Sequence, residues 1–228
     1  LQGLPYGEGE GGKPEILPAP PGVLIIRNFA SPAFCKKLMD YADGAVRRKL
    51  EVVDHDKTTR DRVVTVASSG RITDQVTING MAMEILTLFM DIHLKRMAPF
   101  YGVEFEWFER PQILRYSAGG RYDPHADADH WEASTGQWLR SQDRDLSVLL
   151  YLNDNYEGGE IGFDNLGFEM KPEAGMLLAF PSDHRYLHAA RPTRSGLRYT
   201  IVSWSATLGT TRVQAHPPYA SIHLHTPA

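Results

Sequence analysis

The sequence has a single cysteine, Cys35, so no disulfide can form within the chain, and a reducing compartment, the cytoplasm, is the expected setting. Basic charge is not in excess. Lys and Arg number 24 against 28 Asp and Glu, a net charge of −4, which argues against a surface built for phosphate backbones and so against nucleic acid as a partner. There is no apolar run long enough to span a bilayer. No internal repeat or low-complexity block stands out beyond a Gly-rich start. The chain also lacks an initiating Met; it begins at Leu1, which leaves an upstream targeting segment open.

What is present suffices for one large β-rich domain: 228 residues, 42% of them apolar. Residues 1–22, rich in Gly and Pro, read as an irregular lead-in, and Val23-Leu24-Ile25-Ile26 as a buried strand. Ser31-Pro32 opens a helix that Gly44 ends, with Phe34, Leu38, Tyr41 and Ala45 at helical spacing. A second helix is expected from Thr77 or Asn79 to Ala98, with Ile85, Leu88, Phe89 and Ile92 on one face. From Arg110 onward, short strands alternate with Gly, Pro, Asn and Asp clusters, leaving no room for crossover helices. The expected fold is mainly β with packed helices: a double-stranded β-helix, or jelly roll, carrying two N-terminal helices. It should occupy residues 23–206, with residues 207–228 as an irregular C-terminal extension.

Chemistry concentrates in Tyr122-Asp123-Pro124-His125-Ala126-Asp127, followed by His188 and then Arg198. On a strand, residues i and i+2 point to one face, so His125 and Asp127 can reach one metal. His188 is the best third ligand. Two neutral imidazoles and a carboxylate suit Fe(II) and leave positions open for a chelating 2-oxo acid and O₂. A Zn²⁺ hydrolase could use similar ligands but would not need the Arg. In Leu197–Trp204, residues Arg198, Thr200, Val202 and Trp204 share a face. An inward Arg is costly without an anion, and a carboxylate matches its planar fork. The far carboxylate of 2-oxoglutarate would fit, with hydroxyls from Thr200 and Tyr151.

These residues resemble the Fe(II)/2-oxoglutarate-dependent dioxygenases, specifically the prolyl 4-hydroxylase-like branch. The likeness spans roughly residues 23–206. It is carried by Gln112-Ile113-Leu114-Arg115-Tyr116 running to Asp127, by Leu149–Asn153 with Glu157-Gly158-Gly159-Glu160, and by Pro192–Trp204. The resemblance implies His125, Asp127 and His188 as iron ligands, Arg198 and Tyr151 on the far carboxylate, and Tyr116 near the keto end. It also implies ascorbate as a reductant and Trp204 beside the substrate; Tyr122 and Arg62 are further candidate substrate contacts. The implied reaction couples conversion of 2-oxoglutarate to succinate and CO₂ with hydroxylation of a C–H bond, on a peptidyl proline or on a small amino acid or natural product. Asp127 favours oxygen insertion, since halogenating relatives lack that carboxylate.

The sequence departs from the branch in three places. Arg198 stands where collagen-type enzymes carry Lys; the substrate loop Asp61–Val66 has Val64 in place of an Arg; and Ala128–Arg144 is a polar, aromatic-containing insertion. A nucleobase demethylase would carry a second Arg six residues after the first, where this chain has Trp204. A non-enzymatic metal-binding jelly roll would need no buried Arg. Asp54-His55-Asp56 reads as a solvated charged loop, and His223 and His225 as tail residues.

Overall fold

The computed structural model describes residues 12–225. Its centre is the strand Arg198–Thr207, whose ten residues are all buried because both of its faces are covered. It pairs on one side with Leu146–Tyr151 and on the other with Gln112–Tyr116 and Phe105–Phe108. The major antiparallel sheet extends from there. One edge is reached through Leu177–Pro181 and Leu24–Arg27, the other through Asp74–Val76 and Arg47–Lys49. A minor sheet faces it, in the order Phe168–Met170, Ile161–Phe163, His188–Ala190, Arg121–His125, Arg71–Ile72.

Period-2 alternation sorts the central strand. Ile201 belongs to the cluster that also holds Ile113, Val148, Leu150 and the helices, while Val202 and Trp204 pack with Leu114, Tyr116 and Ala190 between the sheets. Helix α1 (Pro32–Gly44) begins as expected: the Ser31 hydroxyl accepts the Phe34 N–H at 3.2 Å and Pro32 fills the first turn. It buries Phe34, Cys35, Leu38 and Ala42.

Helix α2 (Ala82–Ile92) buries the expected Ile85, Leu88, Phe89 and Ile92 but starts later than the sequence reading. The N–H groups of Asn79 and Gly80 are instead turned to the Tyr41 hydroxyl, at 2.7 and 3.3 Å. The helical path also runs past Ala98. It passes through a π-turn at His93–Met97, where the Ala98 N–H reaches back to His93 O, and continues as a short helix to Tyr101. Pro99 has no N–H for the next α-type bond, which accounts for the slipped register.

Both ends of the chain depart from a purely irregular reading. Glu15–Ile16 adds a two-residue strand to Leu24–Arg27, and Ile222–His223 pairs with Phe105–Phe108. The insertion folds as a hairpin, Asp129–Glu132 against Gln137–Arg140. No helix among the described residues is long and apolar enough to cross a membrane.

Candidate active site

The minor sheet brings two histidines together by register. His125 and His188 are direct cross-strand partners, with ring centroids 4.3 Å apart. Each ring is oriented by its Nδ1–H, which donates to a backbone carbonyl: Asp123 O at 2.8 Å for His125 and Tyr186 O at 3.1 Å for His188. Both Nε2 atoms therefore stay free for a shared centre. Burial, then the charge of His125, drives His188 down to about 4 against the attraction of Asp127. Its imidazole is neutral, as a ligand must be.

Asp127 completes the group: its Oδ1 lies 3.6 Å from His125 Nε2 and its Oδ2 3.4 Å from His188 Nε2. Among the described residues, His125, Asp127 and His188 form the one cluster of three metal-capable side chains. The strand reading needs correction here. The strand ends at His125, and Asp127 lies beyond it in a bend. The backbone of the next residue, Ala128, bonds to Ser182, Ser141 and Gln142, pulling the chain out of the sheet toward the hairpin. The Ser147 hydroxyl donates to Asp127 Oδ2 at 2.7 Å and shares a second 2.7 Å bond with Ser182. Burial alone would raise the Asp127 carboxyl, but His188, His125 and Arg144 hold it far below the usual carboxylate range.

Across the gap, the major sheet presents Arg198. Register places Tyr116 directly beside it, and Tyr151 opposite Thr200. The Arg198 guanidinium sits 4.7 Å from the Tyr116 ring centroid and 5.3 Å from that of Tyr151. Arg198 is 1% exposed and has no ion pair with any described residue. Its Nε and Nη1, and the hydroxyls of Tyr151, Tyr156 and Thr200, are buried without hydrogen-bond partners. Burial pushes the Tyr151 phenol well above its ordinary value, so it stays a neutral donor. A charged fork with three hydroxyls and no anion has the donor set for one carboxylate. Gly159 makes room for it: at φ +66, a Cβ there would meet Tyr156 Cε2 at 2.8 Å and Arg198 Cδ at 3.0 Å.

Outside this pocket, a cavity of about 480 Å³ is bordered by Arg62, Tyr122 and Trp204. Tyr122 stacks on His125 with centroids 3.5 Å apart. Sequence reasoning missed Ser147, Tyr156, Arg71 and Arg144. Arg144 covers the Trp204 ring at 3.9 Å and is clamped by Glu109 at 2.5 and 2.9 Å. No local motif marks these residues; strand pairing brings in Ser147 and Arg71, and connecting segments carry Tyr156 and Arg144.

Comparison with known proteins follows the same lines. The sequence model of the 2OG-Fe(II) oxygenase superfamily matches residues 111–206, the segment that holds the triad and Arg198. Prolyl 4-hydroxylase 1 of Arabidopsis thaliana is 28% identical over 217 residues, covering 84% of this chain and 71% of that protein. The fold matches the viral collagen prolyl hydroxylase of Paramecium Bursaria Chlorella virus-1, in complex with 2OG, with a TM-score of 0.59 at 21% identity over 82% of this chain and 97% of that one. It also matches a Trichoplax adhaerens prolyl hydroxylase bound to a hypoxia inducible factor peptide fragment, with a TM-score of 0.55 at 21% identity, over 83% and 88%. These findings support a 2OG-Fe(II) oxygenase similar to the prolyl 4-hydroxylases, with the family match lying over residues 111–206.

Proposed function

We propose that the protein hydroxylates an unactivated C–H bond of a prolyl residue or proline-like substrate, with Fe(II) and 2-oxoglutarate, releasing succinate and CO₂. The observation that carries this is the buried, unpaired Arg198 with its ring of orphaned hydroxyls, set across the gap from a metal-capable triad. The prolyl end rests on the names of its relatives, one of which was solved with a peptide. In this reading the two opposed sheets are the double-stranded β-helix, and residues 23–206 are the catalytic domain.

His125, Asp127 and His188 would hold the iron, and Arg198, Tyr151 and Thr200 the far carboxylate of 2-oxoglutarate. Tyr116 would border its keto end. When bound, the pair supplies the oxidant that, with O₂, converts C–H to C–OH. The protein's own part is positioning. The backbone carbonyls of Asp123 and Tyr186 fix both imidazoles in the tautomer that leaves Nε2 bare. Ser147 holds Asp127 Oδ2, so the carboxylate presents Oδ1 in one orientation. Arg198 sets the register of the co-substrate by a two-point contact. Leu114, Val202 and Trp204 keep water from the reacting face. Tyr122, Trp204 and Arg62 would border the substrate.

The test is anaerobic addition of Fe(II) and 2-oxoglutarate, which should give a visible chelate band, followed by O₂ and proline-containing peptides. A 16 Da gain matched by equal succinate is the expected result. Absence of the band, or full turnover by His125→Ala, overturns the reading; succinate formed with small molecules and not with peptides overturns its prolyl end.

A further inference from the structure

Four residues line both the inner pocket and the outer cavity: Arg71, Tyr122, Asp127 and Trp204. They form the neck through which a substrate reaches the triad. Two of them carry donors with no acceptor. Arg71 Nε is buried without a hydrogen-bond partner, and so is the indole Nε1 of Trp204. Arg71 has no ion pair with any described residue; its guanidinium lies over the Tyr122 ring at 4.5 Å, and Tyr122 in turn stacks on His125. Arg71 is half-buried, and the face of a phenol offsets its charge only weakly and leaves its Nε–H open.

Two features make Arg71 a fixed reader and not a roaming surface charge. It sits on the strand Arg71–Ile72, paired in register with Tyr122. The Trp204 ring is already covered by Arg144, which Glu109 clamps. The unmet demand at the neck is therefore for a hydrogen-bond acceptor, and the unpaired Arg71 charge favours an anionic one.

We propose that Arg71, with the Trp204 indole N–H, binds a carboxylate of the substrate next to the carbon that is oxidised, so that the enzyme selects acidic sequences around its target. This rests on the reading of the inner pocket as the iron and 2-oxoglutarate site. The carboxylate could come from two sources, the substrate or 2-oxoglutarate itself. Arg71 faces the outer cavity, which Arg198 does not border; that favours the substrate.

The experiment uses the anaerobic Fe(II)–2-oxoglutarate enzyme and three fluorescein-labelled decapeptides that differ only in Glu, Gln or Lys beside a central proline. Anisotropy titration should show the Glu peptide binding on the order of 10- to 100-fold tighter than the Gln peptide, the range of one charge-assisted pair. Arg71→Gln should erase that difference, and Arg71→Glu should shift the preference to the Lys peptide. The chelate band should report 2-oxoglutarate affinity within about twofold of the parent; a large loss of that affinity instead assigns Arg71 to the co-substrate and overturns the proposal. Equal binding of the three peptides, or binding of none, also overturns it. The two readings separate cleanly. Hydroxylation without charge discrimination removes Arg71 and keeps the oxygenase. Discrimination without a 16 Da gain on proline keeps Arg71 and removes the prolyl target.

Discussion

The inner pocket and its rim are built by different means. Most of the inner pocket is set by strand register: His125 against His188, Arg198 against Tyr116, Thr200 against Tyr151, with Asp127 and Tyr156 carried on bends. The rim is built from connections: the segment 50–66, the 128–144 hairpin and the chain after Thr207. Ladders hold atoms to a fraction of an ångström, which metal and co-substrate geometry demands. Loops vary at little cost to the fold, which suits the end that chooses the substrate. The oxidant should thus be the shared part of the enzyme and the substrate its private part.

The largest effect comes from removing a triad member. His188→Ala or Asp127→Ala should abolish hydroxylation and weaken Fe(II) binding by more than the roughly 10- to 100-fold typical of second-layer partners. Fe(II) titration by competition with a chelator checks this, and near-parent affinity would break the inner half of the comparison. Next is Arg198→Ala. It removes one partner of a buried charged pair, a loss of about 2–5 kcal/mol, or a 30-fold or larger rise in the Kd for 2-oxoglutarate. Peptide binding should move far less.

Depth by itself does not make a site, as His93 demonstrates. It is as buried as His188, and burial drives it to about 4 as well. Its Nδ1–H donates to Phe89 O at 2.7 Å, but its Nε2 is buried without a hydrogen-bond partner, its ring packs against Phe105 and Phe108, and it belongs to no three-residue metal-capable cluster among the described residues. Its role is packing, with a pH cost whose sign is fixed. Between about pH 4 and 6.5 the unfolded chain binds this proton and the folded chain does not, so stability falls as pH drops through that window. The full loss is about 3 kcal/mol. Urea midpoints at pH 7 and pH 4.5 should show a smaller difference in His93→Met than in the parent. An equal difference would mean that His93 titrates normally in the fold.

A smaller effect is expected at Ser147. Ser147→Ala frees Asp127 Oδ2 and should weaken Fe(II) binding about tenfold, while the 2-oxoglutarate contacts at Arg198 are untouched. A change in 2-oxoglutarate affinity alone would contradict the orientation role.

The asymmetry between pocket and rim also governs what the sequence disclosed. His125, Asp127, His188 and Arg198 were legible because their chemistry is rare at that spacing, and Thr200, Val202 and Trp204 followed from strand alternation. The two helices were legible from apolar periodicity, but not the start of α2, which depends on a tertiary bond to Tyr41. Ser147 and Tyr156 were not legible. Each is an ordinary residue until pairing between distant strands, or a glycine at φ +66, sets it beside a charge. Asp127 was read in the right place for an incomplete reason: the strand stops short of it, and the bend toward the hairpin does the aiming.

The smallest effect, and the sharpest probe of the rim, lies in that hairpin. Trp131 is 53% exposed and meets Trp138 edge-on at 5.7 Å; Trp138 stacks on His184, which Asp129 holds at 2.6 Å. His130 stacks on His55 at 4.3 Å, tying the hairpin to the neighbouring loop. Trp131, Trp138, His130 and His55 border a groove of about 360 Å³ that reaches His125 and Asp127. Aromatic walls of this kind suit the flat, rigid rings of a proline-rich strand. Trp131→Ala removes exposed aromatic surface and no hydrogen bond, so the fold should keep its midpoint within about 0.5 kcal/mol. Peptide affinity should fall by about fivefold, the worth of one aromatic contact of about 1 kcal/mol, and 2-oxoglutarate affinity should not move. A variant that lost co-substrate affinity instead would erase the boundary between ladder-built pocket and loop-built rim, because a side chain on the hairpin would then be setting the Arg198 end, which strand register holds.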